Sequence, residues 1–93
     1  MLLLNSEPAT PEERLRARVA VEVYVQTSAA LGSFPIGLRM GSAFDGLGLG
    51  DVEINDIAER CAKMLGVSLP MPVTCNTLAD LGLLLLHALE KRS

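Results

Sequence analysis

The chain of 93 residues is poor in aromatic side chains and carries no excess of positive charge. Tryptophan is absent and aromatic residues make up only 3% of the chain, so the sequence offers no platform on which nucleic-acid bases could stack. Lysine and arginine number 8 against 11 aspartate and glutamate residues, which gives a net charge of −3. Because nucleic-acid binding depends on basic residues that neutralise phosphates, we expect no nucleic-acid partner.

The sequence also lacks a long apolar segment. The run at residues 81–86 is interrupted by Gly82 and is far shorter than the roughly 20 apolar residues that a membrane span requires. Residues 1–4 are apolar but lack the basic flank of a signal peptide. We therefore expect a cytoplasmic protein that does not span a membrane.

Side chains suited to metal binding or nucleophilic catalysis are equally scarce. Cys61 and Cys75 are too few for a disulfide framework, and His87 is the only histidine. No spaced set of His, Cys, Asp and Glu residues predicts a metal site. A nucleophile, a base and a group that orients the base cannot be assembled either. We expect no metal, no catalytic residues and no enzymatic activity.

The first strong structural signal is Thr10-Pro11-Glu12-Glu13, which has the pattern of a helix start. Threonine suits the N-cap, proline the first helical position, and Glu13 closes a capping box. Residues 19–25 alternate with a period of two and are rich in valine, which is typical of a strand. A helix is favoured because the cap lies upstream and no turn residue intervenes before Gly32.

Two more helices follow a long loop. Six glycines between Gly32 and Gly50 exclude a regular element there, and the apolar side chains of this loop are expected to fix it across the bundle. Asp51 is predicted as the N-cap of an amphipathic helix, and Asn76 or Thr77 as the cap of an apolar last helix.

These signals predict an all-α fold, a small bundle of helices. Its three principal helices are expected at about 10–31, 51–65 and 77–91. A short helical turn near 71–76 is a further possibility in this prediction. Residues 1–9 are expected to form a flexible N-terminal arm, and residues 10–93 a single domain.

The middle of the chain carries four features in a fixed order: Phe44, Leu47-Gly48, an amphipathic helix from residue 52, and Leu69-Pro70. In their order and spacing these features resemble the acyl carrier protein family and imply its small acyl-carrier-like helical bundle. Residues 77–81 resemble the start of the family's last helix, so the likeness extends over roughly residues 10–91. It implies a helical bundle that serves fatty-acid, polyketide or related biosynthesis and carries acyl chains on a 4′-phosphopantetheine arm.

One departure from the family changes what the resemblance implies. The position of the serine that carries phosphopantetheine is occupied by Asp51, so neither this cofactor nor any other is expected. A phosphodiester needs a hydroxyl nucleophile, whereas a carboxylate would give an unstable mixed anhydride. Asp51 is therefore interpreted either as a helix cap or as a charge that imitates the phosphate of a loaded carrier.

Partner docking is the role that remains for the helix from Asp51. In the family, enzymes use basic patches to bind acids along this helix, and Glu53 and Asp56 fall at such positions. Together with Val52 and Arg60 they form the predicted docking residues, and the expected partners are acyl-chain-processing enzymes of synthase or transferase type.

Two alternatives stay open at this point. The chain could be a genuine acyl carrier modified at an unusual site, with Ser42 as the first choice. It could also be a small helical domain that binds acyl chains or other lipids non-covalently, in a groove between the last helix and the loop around Met40, Phe44 and Leu47.

Overall fold

The computed structural model describes residues 10–33 and 37–92, and it confirms a small all-α bundle. The three helices are α1 (Pro11–Leu31), α2 (Asp51–Leu65) and α3 (Leu78–Arg92), each within a residue of its predicted position. The arm predicted for residues 1–9 lies outside the described residues.

Helix α1 begins with the predicted capping box. The Thr10 hydroxyl accepts the backbone N–H of Glu13 at 3.1 Å, and the Glu13 carboxylate accepts the backbone N–H of Thr10 at 3.2 Å. The bond from this backbone N–H lowers the pKa of the Glu13 carboxyl. The helix ends at Leu31 because Gly32 adopts a left-handed conformation with φ of 81°. The valine-rich segment is therefore helical, as the cap and the absence of turn residues predict.

Helix α2 begins at Asp51, the residue predicted as its cap, and therefore one residue earlier than predicted. Gly50 is the N-cap, in an extended conformation, and Asp51 is the first helical residue, so the cap role predicted for Asp51 is wrong. The carboxylate of Glu53 accepts the backbone N–H of Gly50 at 2.8 Å. An acidic side chain at the first helical position still interacts favourably with the positive end of the helix dipole.

The start of α3 is held by its own cap and by the glycine-rich loop. Thr77 is the cap, since its hydroxyl accepts the N–H of Asp80 at 3.2 Å while the Asp80 carboxylate accepts the N–H of Thr77 at 3.1 Å. The N–H groups of Leu78 and Ala79 donate to carbonyls of the loop at residues 42 and 40, at 3.2 Å and 2.7 Å. Residue 43 also forms an antiparallel bridge with Thr77.

One hydrophobic core joins the helices and the loop. Among its fully buried side chains are Val23, Thr27, Phe44, Ile57, Cys61, Leu78, Leu81 and Leu85. The described apolar side chains of the loop do contact this core, as expected: Phe44 and Leu49 are buried and Leu38, Met40 and Leu47 are partly buried. Loop residues 34–36 lie outside the described part of the chain.

The connector, residues 66–77, contains bends but no helical turn near residues 71–76. Pro70 and Pro72 have no backbone N–H to donate to a helical bond. The N–H of Val73 donates to the side chain of Asn55 in α2 at 2.7 Å, and not to a carbonyl of the connector. The N–H of Val73 is therefore bonded to α2 and cannot form a helical bond within the connector, so the predicted short turn is absent.

Candidate functional site

The first turns of α2 and the connector border a groove that is widely open to solvent and has a volume of about 640 Å³. We call it the α2 groove. The residues that line it are Asp51, Val52, Asn55, Asp56 and Glu59 from α2 and Met71 and Pro72 from the connector.

Three of the five predicted site residues come together in this groove. Asp51, Val52 and Asp56 line it, and Val52 is 78% exposed although it is apolar. Arg60 lies one turn beyond Asp56 and forms an ion pair with it, with 3.1 Å between Nε and Oδ2. Both side chains are more than half exposed, so this pair contributes little to stability.

Glu53 differs from the other predicted docking residues. It does not line the α2 groove, and its carboxylate is bonded to the backbone N–H of Gly50. A substitution at Glu53 would therefore disturb the start of α2 as well as the surface charge.

The side chain of Asp51 is exposed and makes no hydrogen bond or ion pair with the residues that the structure describes. Its backbone carbonyl accepts the Nδ2 group of Asn55 at 2.9 Å. A full negative charge is therefore presented to solvent at the first residue of α2. That charge is available to a partner, because no internal contact uses the carboxylate.

Asn55 is the site residue that the sequence did not reveal. Its Oδ1 atom accepts the backbone N–H of Val73, and its Nδ2 atom donates to the backbone carbonyl of Val73 at 3.3 Å. One side-chain amide thus binds both polar groups of a single residue 18 positions later. It fixes the connector, and with it Met71 and Pro72, against α2.

A second groove, of about 410 Å³, lies between α1 and α3. We call it the α1–α3 groove; its lining is Arg16, Val19, Ala20, Met40, Ala79, Gly82, Leu83 and Leu86. Gly82 keeps it deep, since a Cβ atom there would lie 3.1 Å from the Cε atom of Met40 and 3.9 Å from a methyl group of Val19. Arg16 is the one charged side chain among these lining residues.

Both cysteines are buried, and their thiols have raised pKa values. Burial, with a smaller effect from the charge of Glu22, raises the pKa of the Cys61 thiol to about 12. Burial also raises the pKa of Cys75, with a smaller effect from Asp80. Thiols that stay protonated at neutral pH are poor nucleophiles.

Neither a metal cluster nor a membrane-spanning helix is found in the described ranges 10–33 and 37–92. No group of three or more His, Cys, Asp or Glu side chains there could hold a metal ion. No helix in these ranges is long and apolar enough to cross a bilayer. His87, the single histidine of the sequence, is exposed on α3.

Comparisons with known proteins add no assignment to this geometry. Protein-family models, curated proteins and solved structures were each compared with the chain, and none of them matched.

Proposed function

We propose that this protein is an acyl-carrier-like adaptor without a phosphopantetheine arm, which docks acyl-chain-processing enzymes through the surface of α2. The observation that carries the proposal is Asp51, an unpartnered carboxylate at the first residue of α2, beside the exposed side chain of Val52. A serine at this position could carry a stable phosphodiester, whereas an aspartate cannot. The negative charge of Asp51 takes the place of the phosphate that a loaded carrier presents.

The three-helix bundle with a long first loop is compatible with this proposal. The residues expected to contact an enzyme, Val52 and Asp56, are exposed and share one face of α2. Interfaces of this kind place an apolar anchor among charges that steer the encounter, so docking should weaken as salt concentration rises. The partners are synthases or transferases of fatty-acid, polyketide or related biosynthesis.

Intact mass tests the loss of the arm. The purified protein is weighed before and after incubation with coenzyme A and a phosphopantetheinyl transferase of broad specificity, with a conventional carrier protein as a positive control. No gain in mass supports an armless adaptor. A gain of one phosphopantetheine would overturn it and favour a genuine carrier.

Ser42 is the residue to examine if the mass increases. Its hydroxyl accepts the backbone N–H of Arg39 at 2.9 Å, and it lies half-buried in the loop rather than at a helix start. These contacts make it a poor substrate for a transferase. A Ser42→Ala variant that no longer gains mass would identify it as the modified residue.

Binding to purified synthases and transferases tests docking. Val52→Asp should abolish binding, because it places a fourth carboxylate in the middle of the apolar part of the surface. Val21→Asp is the matched control, since Val21 is also exposed, at 58%, but lies on α1 outside the groove. Equal binding by both variants would contradict docking through α2.

The α1–α3 groove favours one second function, non-covalent binding of an acyl chain. Its lining is almost wholly apolar, and Arg16 at its edge, which is paired with Glu12 at 2.9 Å in an exposed and therefore weak ion pair, offers a cation that a carboxylate can share. Methionine labelled with ¹³C at the methyl group gives the test, because Met40 lines this groove and Met64 does not. Dodecanoate added below its critical micelle concentration should shift the Met40 signal. No shift at Met40 would remove this function.

A further inference from the structure

The α2 groove has two walls. One belongs to α2, the helix that carries the predicted docking residues, and the other belongs to the connector. Val52 stands on the helix wall, and Met71 and Pro72 form the wall contributed by the connector. Met71 is 43% exposed, so both walls present apolar surface to water. The groove is open to solvent along its length, so a large apolar side chain of a partner can reach both walls from outside.

The charges along this groove determine which kind of side chain fits. Asp51 and Glu59 form no ion pair with any described residue, and Asp56 is paired with Arg60. The rim therefore holds three carboxylates against one guanidinium. Charge complementarity favours a cation next to the apolar group and disfavours an anion.

The second wall depends on Asn55. The amide of Asn55 binds the N–H and the carbonyl of Val73, directly after Pro72. Pro70 and Pro72, on either side of Met71, have no N–H to donate. The connector is otherwise attached by side chains in the core, among them Val73 and Cys75. Asn55 thus sets the position of Met71 and Pro72 relative to α2.

From these observations, and resting on the proposed docking function, we propose that the partner surface of this protein is the whole two-walled groove. It takes one apolar side chain of a partner protein, flanked by a lysine or arginine, between Val52 and Met71. Asn55 is the positioning residue that holds the second wall in place.

A peptide probe tests the groove without knowledge of the natural partner. The probe is an acetylated and amidated helical peptide with a single phenylalanine and a lysine four residues to either side. The protein carries ¹³C-methyl methionine and valine. Met71 also lines a neighbouring depression with Lys63 and Leu69, so a shift of Met71 together with Val52 reports on the α2 groove, while Met40 reports on the α1–α3 groove and Met64 on open surface. Titration should shift the signals of Val52 and Met71 and leave those of Met40 and Met64 unchanged.

Two changes in the probe test its chemistry. Replacing phenylalanine by alanine should weaken binding at least about fivefold, which is the size expected for an anchor side chain. Replacing both lysines by glutamate should abolish the shift at Met71. A shift that survives the change of charge, or one confined to Met64 or Met40, would overturn the proposal.

Matched variants of the protein test the second wall. Met71→Ser should weaken binding of the probe about fivefold or more, whereas Met64→Ser, at a residue 59% exposed outside the groove, should leave it within twofold. If Met71→Ser binds enzymes as well as the wild type does while Val52→Asp fails, docking stands and the second wall is refuted. If the probe binds at Met71 but no enzyme binds, the groove stands and the proposed function fails.

The positioning role of Asn55 has a spectroscopic signature of its own. In Asn55→Ala the Met71 signal should move to the position of an unstructured methionine, while the signals of Met40 and Met64 stay in place. Affinity for the probe should fall as in Met71→Ser. Displacement of all three signals together would show a general loss of structure and would contradict a positioning role.

Discussion

Replacing Asn55 by alanine tests how strongly the connector is attached to α2. The change removes the acceptor of the Val73 N–H, and Val73 is buried, so its N–H loses its partner away from bulk water. An unpaired buried donor costs about 1–3 kcal/mol. The variant also loses two weaker hydrogen bonds, from Nδ2 to the carbonyls of Val73 and Asp51. The higher helix propensity of alanine stabilises the folded state by about 0.5 kcal/mol and offsets part of the loss. We expect the free energy of unfolding to fall by about 2 kcal/mol.

Urea denaturation followed by circular dichroism at 222 nm measures this loss. The midpoint should move to lower urea while the slope of the transition stays the same, because the change acts on one contact and not on the extent of the folded surface. Ordinary surface substitutions change the free energy of unfolding by no more than about 0.5 kcal/mol. A change as small as that in Asn55→Ala would refute the role assigned to the amide.

A second variant, Asn55→Asp, separates the donor from the acceptor. A carboxylate can still accept the N–H of Val73, but it cannot donate and faces two carbonyl oxygens. The folded state therefore disfavours the charged form and raises the pKa of the introduced carboxyl. Stability from the neutral acid is present at low pH and is lost as pH rises through that pKa. The free energy of unfolding of the variant should lie closer to that of the wild type at pH 4 than at pH 7. A difference that does not depend on pH would refute the donor role.

Three further predictions concern the core and the helix ends. Thr27→Val should raise the free energy of unfolding by about 1 kcal/mol in urea denaturation, because the fully buried Thr27 hydroxyl has no hydrogen-bond partner among the described residues; a loss of stability would contradict this. The advantage of the wild type over Cys61→Ala should shrink as pH rises from about 9 to about 12, since the folded state keeps this thiol protonated while the unfolded chain releases the proton; a constant difference would show that burial does not hold the proton. Thr77→Ala should lower the thermal midpoint through a loss of about 1 kcal/mol, because the N–H of Asp80 loses its acceptor; an unchanged midpoint would mean that the loop alone holds the start of α3.

The helix positions could be predicted because their end signals are local. Threonine followed by an acid three residues later predicted the capping box of α1, and Gly32 predicted the end of α1, where it adopts a left-handed conformation. The alternation of valines in α1 was a competing strand signal. The valines at 19 and 23 are buried on one face of the helix while those at 21 and 25 are exposed, so side-chain identity alone could not have chosen between the two structures.

The site was predicted only in part, because its decisive contacts join distant segments. The exposed position of Asp56 follows from the helical period of α2. Asn55 has the same local appearance as any polar residue of an amphipathic helix, and its partner lies in the connector. No period in the sequence marks a bond of this kind, so neither Asn55 nor the wall at Met71 could be read from one chain.

The attachment of the glycine-rich loop to the first turn of α3 makes part of the molecule's motion observable at single amides. The N–H groups of Leu78 and Ala79 donate to loop carbonyls, so these protons exchange with solvent when the loop detaches rather than when the helix end frays. Their hydrogen-exchange rates relative to the amide of Asp80, which Thr77 binds locally, therefore report the lifetime of the loop on the bundle. A ligand that held the loop in place would slow exchange at these two amides, even at a distance from its own contacts.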